Sequence, residues 1–402
     1  MRIAIVAEGD FHRNNRLLKL ARSLTAAGHT VLRIGIQITH DAPLREQTPE
    51  GEIARVRTAI AGDIEPSSDA ADSRTSSKSP LVSLKRLLSR FGPTDDLRHY
   101  FGRKREARLI YEALRPWSPA CVVCVNPPMM TVGDRAKRAT GALFVYDAQE
   151  IWVEMYPRHR RIMRGLYRRL ERRLSRRADL VITVNDEIAA LMARDHRIPV
   201  PMVVMNGAES CLEPSPVHSP LRVFFQGAFA PDRDLVPFIL QMGNLRGEAI
   251  FTLQGFGPMG ASWRQVVAEH SLGDVVHFVD PCSPAEVVAS ANEHDIGVIV
   301  YELTSLNIVY SSPNKLFDYV GAGLALLSVD APVMRRLITT SGCGALVDSH
   351  TIDRAWETIH ELAADLDRVW EMKIASHQLC SSLMWDVQAA PFIEWLSDRA
   401  VE

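Results

Sequence analysis

Short apolar runs alternate with helical patterns twice along this chain, and a proline-rich segment separates the two passes. Apolar runs at 2–7, 30–36, 53–59, 121–125, 143–147, 180–184 and 202–205 have strand length. Between the first two, Leu17, Leu18, Leu20, Ala21 and Leu24 recur at helical spacing, and Gly28 closes that helix. The segment 213–220 contains Pro214, Pro216 and Pro220 and reads as a linker. Beyond it the alternation restarts, with strands expected at 221–226, 249–254, 275–279, 296–301, 324–329 and 345–347. Such alternation predicts an α/β fold of two doubly wound, Rossmann-like parallel-sheet domains. A chain of 402 residues can give each its own core. The expected division is 1–212, a linker at 213–220, 221–384 and a terminal helical stretch at 385–402. Ligands of such sheets bind beyond the carboxyl ends of the strands.

Composition narrows the function classes. Hydrophobic residues make up 47% of the chain, which fits a globular protein. Cys121 and Cys124 form a C-x-x-C within an apolar run, so a buried strand is expected there, not a redox or metal site. The six cysteines form no disulfide framework, and a reducing cytoplasm is the expected setting. No apolar run approaches the roughly twenty residues of a spanning helix, and the first run is too short for a signal peptide. A net charge of −2 conceals +12 on residues 1–200 and −14 on residues 201–402. The first half is therefore expected to face something anionic. Aromatic residues are not interleaved with its basic ones, which argues against nucleic acid. The Ser-, Asp- and Ala-rich stretch 63–79 reads as a surface loop.

The most informative segment is 311–323. Ser312 is a plausible helix N-cap and Pro313 suits the first helical position. Asn314 and Lys315 then join the positive end of the helix, a place suited to phosphate. Asp318 falls on the same face, where a carboxylate accepts hydrogen bonds from a ribose diol. An ordinary capped amphipathic helix has the same spacing.

Thr304-Ser305-Leu306-Asn307, Pro313 to Tyr319 and Gly323 together resemble the S-L-N…P-N-K-L-F-E-Y…A-G signature of retaining GT-B glycosyltransferases similar to glycosyltransferase family 4. The resemblance implies two domains facing a central cleft, with the terminal helix crossing back to the first. It makes Asp318 the ribose ligand and puts Lys315, Asn314 and Asn307 in the donor site. Gln226-Gly227-Ala228-Phe229 followed by Arg233 resembles the family's first glycine-rich turn. Gly227 would admit the diphosphate and Arg233 would balance its charge; the alternative for Arg233 is pairing with Asp232 or Asp234. Gly255-Phe256-Gly257-Pro258 resembles the family's G-x-G-P turn. Extended to Gly260 it also spells a dinucleotide fingerprint, with Asp280 about twenty residues on. Its place after the second strand of its half and the missing N–H of Pro258 count against an NAD site. Tyr146-Asp147-Ala148-Gln149-Glu150 resembles a Y-D-A-H-E motif in which glutamine replaces the sugar-facing histidine. Arg16, Asp147 and Glu150 are assigned to the acceptor side. Arg233, Lys315 and Gln149 are the residues expected nearest the chemistry. Tyr310 stands where many relatives carry a further acid.

The implied activity is sugar transfer from a nucleotide-diphosphate donor, UDP- or GDP-linked, to an acceptor hydroxyl of a glycan or lipid-linked molecule. Front-face attack is the mechanism the resemblance implies, with the leaving phosphate taking the acceptor proton. It implies neither a metal nor a cofactor, the nucleotide sugar being a substrate. The alternative is a non-catalytic GT-B scaffold that keeps nucleotide affinity, motivated by Gln149. Residues 158–177 hold ten arginines and one acid, with an apolar stripe at Ile162, Met163, Leu166, Tyr167, Leu170 and Leu174. Such a helix either lies on anionic lipid or packs its stripe on the domain core with the arginines solvated, and the second is expected for the stripe. The charge, shared by the basic segment 81–91, would still draw the protein to an anionic membrane such as the inner face of the plasma membrane.

Overall fold

The structure, a computed structural model, describes residues 1–9, 11, 14–37, 42–57, 93–231, 234–349 and 352–400. Arg233, Asp232, the expected loop at 63–79, the basic segment 81–91 and the end of the strand expected at 53–59 lie outside these residues. The chain divides into two compact units. One comprises Met1–Val204 with Ala389–Glu402, the other Met205–Gln388. The expected linker thus lies inside the second unit. Helix Trp385–Asp398 starts in the second unit and continues in the first.

The first unit is built on Arg2–Val6 (β1), Thr30–Ile36 (β2), Arg45–Thr48 (β3), Gly51–Val56 (β4), Cys121–Val125 (β5), Leu143–Ala148 (β6), Leu180–Thr183 (β7) and Met202–Val203 (β8). Their order is β3-β4-β2-β1-β5-β6-β7-β8, parallel except for the β3–β4 pair. β5 is buried along its whole length, as expected where helices cover both faces of a parallel sheet. Burial pushes the thiols of Cys121 and Cys124 well up, which suits inert core residues. β3 is polar and solvated at the sheet edge, so no apolar run marks it in the sequence. In register, Val6 lies beside Cys124 and Val125 beside Asp147. The carboxyl ends of β1, β5 and β6 therefore form one edge.

The basic helix Arg161–Ser175 buries Met163, Tyr167, Leu170 and Leu174 and leaves Ile162 exposed. Its stripe packs on the core of its own unit. Flanking arginines are engaged on protein acids: Arg160 with Asp95 at 2.5 Å, and Arg164 with Glu154 at 2.5 Å. No described helix is long and apolar enough to cross a membrane.

The second unit is built on Leu221–Gln226 (β9), Ala249–Gln254 (β10), Val276–Val279 (β11), Ile296–Ile299 (β12), Ala325–Val329 (β13) and Gly344–Val347 (β14). The order is β11-β10-β9-β12-β13-β14, with every pair parallel. The segment 213–220 is held on this sheet by Asp295, which is fully buried. Its carboxylate accepts from the backbone N–H groups of His218 and Arg222 and from the ammonium of Lys373, at 3.2, 2.8 and 3.2 Å. Lys373 is equally buried, and only this partner and its further bonds to Ser215 and the His294 carbonyl offset the cost of desolvating it.

Candidate functional site

Gln226 and Gln254 end β9 and β10 side by side, so Gly227 and Gly255 leave the sheet as neighbours. Both have positive φ, 145° and 153°. A Cβ on Gly255 would overlap the carbonyl oxygen of Gly227, so only glycine fits there. Backbone bonds then tie the two loops together. Phe229 N–H donates to the Phe256 carbonyl at 2.9 Å, and Met259 N–H donates to the Phe229 carbonyl at 3.0 Å. The N–H groups of Gly255 and Gly260 also donate within the protein, to Val279 and Gly257. With Pro258 lacking an N–H, the apparent dinucleotide fingerprint has little backbone left for a pyrophosphate.

Helix Asn314–Gly321 leads away from the same edge of the sheet. Pro313, not Ser312, is its N-cap: ψ of Pro313 is 147°, an extended value, so the helix starts at Asn314. Ser312 lies two residues outside it, and Pro313 itself has no side chain that can cap this end. The helix is pinned on the sheet by Tyr319, which is fully buried. Its hydroxyl accepts from Gln226 N–H at 2.9 Å, and its ring fills the space over Gly297. This fixes the first turn beside the end of β9. There the Lys315 ammonium sits 3.3 Å from the centroid of the Phe225 ring, a cation–π contact. The Asn314 side-chain oxygen accepts from Asn206 at 2.8 Å. One turn on, Asp318 is close enough to the loop after β11 to act on Cys282: burial first, then the charges of Glu286 and Asp318, raise that thiol. Asn307 lies in the short helix Leu306–Val309, which Ser305 caps by accepting from Ile308 N–H at 3.3 Å. Asn206, Phe225 and Tyr319 are the contributors that the sequence reading missed. Tyr319 stands inside the signature itself, whereas Asn206 lies 108 residues from its partner and carries no local signal.

In the first unit, Asp147 is the penultimate residue of β6 and is fully buried. Arg16 forks onto both its oxygens at 3.1 and 3.0 Å and donates to the Val204 carbonyl at 2.7 Å. Gln149 donates its amide to Asp147 at 2.9 Å. Arg16 and Gln149 are thus brought together on Asp147, with Glu150 next along the chain.

The two parallel-sheet α/β units define the fold class as GT-B, and solved structures of that class match along the whole chain. Sucrose-phosphate synthase from Thermosynechococcus elongatus is 14% identical, over 100% of this chain and 99% of that one, with a TM-score of 0.72. The Anabaena protein Alr3699/HepE in complex with UDP is 12% identical, over 99% of this chain and 100% of that one, with a TM-score of 0.67. A glycosyltransferase from Rickettsia africae is 12% identical, over 99% and 98%, with a TM-score of 0.66. At these identities the likeness is one of fold. In sequence, residues 14–207 match the family model described as a glycosyl transferase 4-like domain. No curated protein sequence matches the chain.

Proposed function

We propose that this protein is a retaining glycosyltransferase that moves a sugar from a nucleotide-diphosphate donor to an acceptor hydroxyl. The observation that carries the reading is the placement of Lys315, at the first turn of helix Asn314–Gly321, beside the end of β9 from which Gly227 departs. A lysine, a helix N-terminus and a glycine with no side chain together suit a diphosphate. Asp318, one turn further, suits the ribose diol. Arg233 is proposed as a second cation on the diphosphate. Solved structures of the same fold hold UDP, UDP with glucose, and UDP-2-fluoro glucose, which supports a UDP-sugar as the first donor to test.

In the proposed reaction the bond from the sugar C1 to the phosphate oxygen breaks while the acceptor oxygen bonds to C1 on the same face. The acceptor proton passes to the leaving phosphate. Negative charge grows on that phosphate, so Lys315 and the helix end stabilise the transition state more than the ground state. These groups supply the charge that a metal ion supplies elsewhere. The acceptor is a glycan or lipid-linked hydroxyl, met in the cytoplasm or at the inner face of the plasma membrane, to which the basic first half is attracted.

A second reading, a nucleotide-binding scaffold without turnover, is favoured by Gln149, which cannot titrate and whose amide is committed to Asp147. Hydrolysis and transfer assays with UDP- and GDP-sugars separate the two. On the enzyme reading, Lys315→Ala lowers turnover by about 10²–10³-fold without lowering the melting temperature. Wild-type rates in that variant would overturn the site assignment, and tight nucleotide binding without turnover in the parent protein would favour the scaffold.

A further inference from the structure

The second unit begins at Met205 and ends at Gln388. Just inside these two points, segment 205–212 lies against the end of helix Leu366–Ser382 and the turn that follows it. Ala208 N–H donates to the Leu383 carbonyl at 2.7 Å, and Trp385 N–H donates back to the Ala208 carbonyl at 2.8 Å. This pairing brings together two of the chain's free thiols, Cys211 and Cys380.

Each thiol rests on the other's neighbour. The Cys211 thiol donates to the carbonyl of His377, one helical turn before Cys380, at 3.7 Å. The Cys380 thiol donates to the carbonyl of Ser210, the residue before Cys211, at 3.8 Å. Burial first, then a hydrogen bond with Cys211 and the charge of that group, push the Cys380 thiol well up. Cys380 is fully buried and stays protonated, so an oxidant arriving from water does not start with it. Cys211 is only half-buried, and the His377 ring stands beside it. His377 Nδ1–H donates to the Leu212 carbonyl at 2.9 Å and lies 3.5 Å from the Cys211 sulfur. A ring N–H in that place faces the charge the sulfur carries when it reacts as a thiolate. Cys121 and Cys124 make no comparable pair: three residues apart on one buried strand, they point to opposite faces of the sheet.

We propose that Cys211 and Cys380 form a redox-active dithiol, in which a hydroperoxide oxidises Cys211 and Cys380 then closes a disulfide between segment 205–212 and helix Leu366–Ser382. The Cys211 thiolate attacks a peroxide oxygen, the O–O bond breaks, and a sulfenic acid forms as the other oxygen leaves with the bonding pair. The Cys380 sulfur then attacks the Cys211 sulfur. The S–O bond breaks, and the hydroxyl departs as water with the Cys380 proton. Together the two thiols lose two electrons, which the peroxide gains. Segment 205–212 also meets both ends of helix Asn314–Gly321. The Asn206 amide donates to Asn314 at 2.8 Å, and Leu212 N–H donates to the Gly321 carbonyl at 2.7 Å. The disulfide therefore restrains the segment that lies along this helix. Its bearing on donor binding rests on the glycosyltransferase reading, whereas the sulfur chemistry does not.

Mass spectrometry of the full chain tests this, after reduction with dithiothreitol, desalting and exposure to hydrogen peroxide. The expected product has lost two hydrogens, yields a non-reduced peptide pair joining Cys211 to Cys380, and reverts with dithiothreitol. In Cys380→Ala the reaction should stop at a Cys211 sulfenic acid, trapped by dimedone. In Cys211→Ser, Cys380 should remain a thiol. Circular dichroism melting confirms that each variant is folded, and the product of the parent protein decides the matter where one is not. A calorimetric UDP titration on the same samples keeps the two readings apart. Disulfide formation in a protein that does not bind UDP would remove the donor reading and leave the dithiol standing. A disulfide joining other cysteines, Cys211 oxidised beyond the sulfenic acid while Cys380 stays free, or no reaction at Cys211 would overturn the proposal.

Discussion

The carboxyl edges of the two sheets are built in opposite ways. In the second unit the edge is mostly backbone: Gly227 and Gly255 against each other, a helix end that begins after a proline, and one lysine over an aromatic ring. In the first unit the edge is mostly side chain: Arg16 and Gln149 both donate to the buried Asp147 carboxylate. A backbone site recognises a group common to many ligands, such as a diphosphate. A site of long-range side-chain pairings recognises one particular partner. On the proposed function, the first kind of edge would suit the donor and the second the acceptor.

Substitutions that strike one edge and spare the other can break this contrast. The largest effect on stability is expected for Arg16→Ala, which leaves the fully buried Asp147 carboxylate without its forked partner. About 3–5 kcal/mol should be lost, read by urea unfolding. A neutral result would mean that the pair is not the structural anchor of the first edge. Gly255→Ala comes next, because a Cβ meets the Gly227 carbonyl and φ is 153°. About 2–3 kcal/mol of stability and most UDP affinity should go together. Retained UDP affinity would separate the loops from the donor site.

The smallest effect is expected behind the first edge, at Glu171, and it depends on pH. Tyr146 donates to its carboxylate at 2.7 Å, and burial raises the Glu171 pKa to about 7. The Glu171 contribution to stability is therefore whole below its unfolded pKa of 4.5 and is lost as pH rises through about 7. His196, 3.7 Å away, is pushed down to about 4 by burial, so the contact joins two neutral groups between those values. The His196 term has the opposite slope, gaining stability as pH rises from about 4 towards its unfolded 6.5. Glu171→Gln should remove the loss above pH 4.5 and stabilise the protein by about 1–2 kcal/mol at pH 8, with no gain at pH 4. Equal effects at both pH values would contradict the assignment of a raised carboxyl.

The same contrast explains what could be read from the sequence. Strands 30–36, 121–125, 221–226 and 249–254 are local apolar patterns and stand in the structure at those bounds. Lys315 and Asp318 share a segment of four residues, so their spacing is visible without a fold. The helix start differs by one residue because Pro313 takes an extended ψ, which sequence preference alone does not determine. β3 escapes notice because an exposed edge strand needs no apolar residues. Arg16 and Asp147 are 131 residues apart, and Asn206 and Asn314 are 108 apart. Only the folded sheets bring such pairs together.

The central claim is that Lys315 and the glycine turns bind a nucleotide diphosphate, and calorimetric titration with UDP tests it most directly. The account predicts saturable binding to the parent protein, at least ten-fold weaker in Lys315→Ala because one charge-assisted bond to phosphate is gone. No UDP binding to the parent protein, or equal affinity in the two proteins, would contradict it.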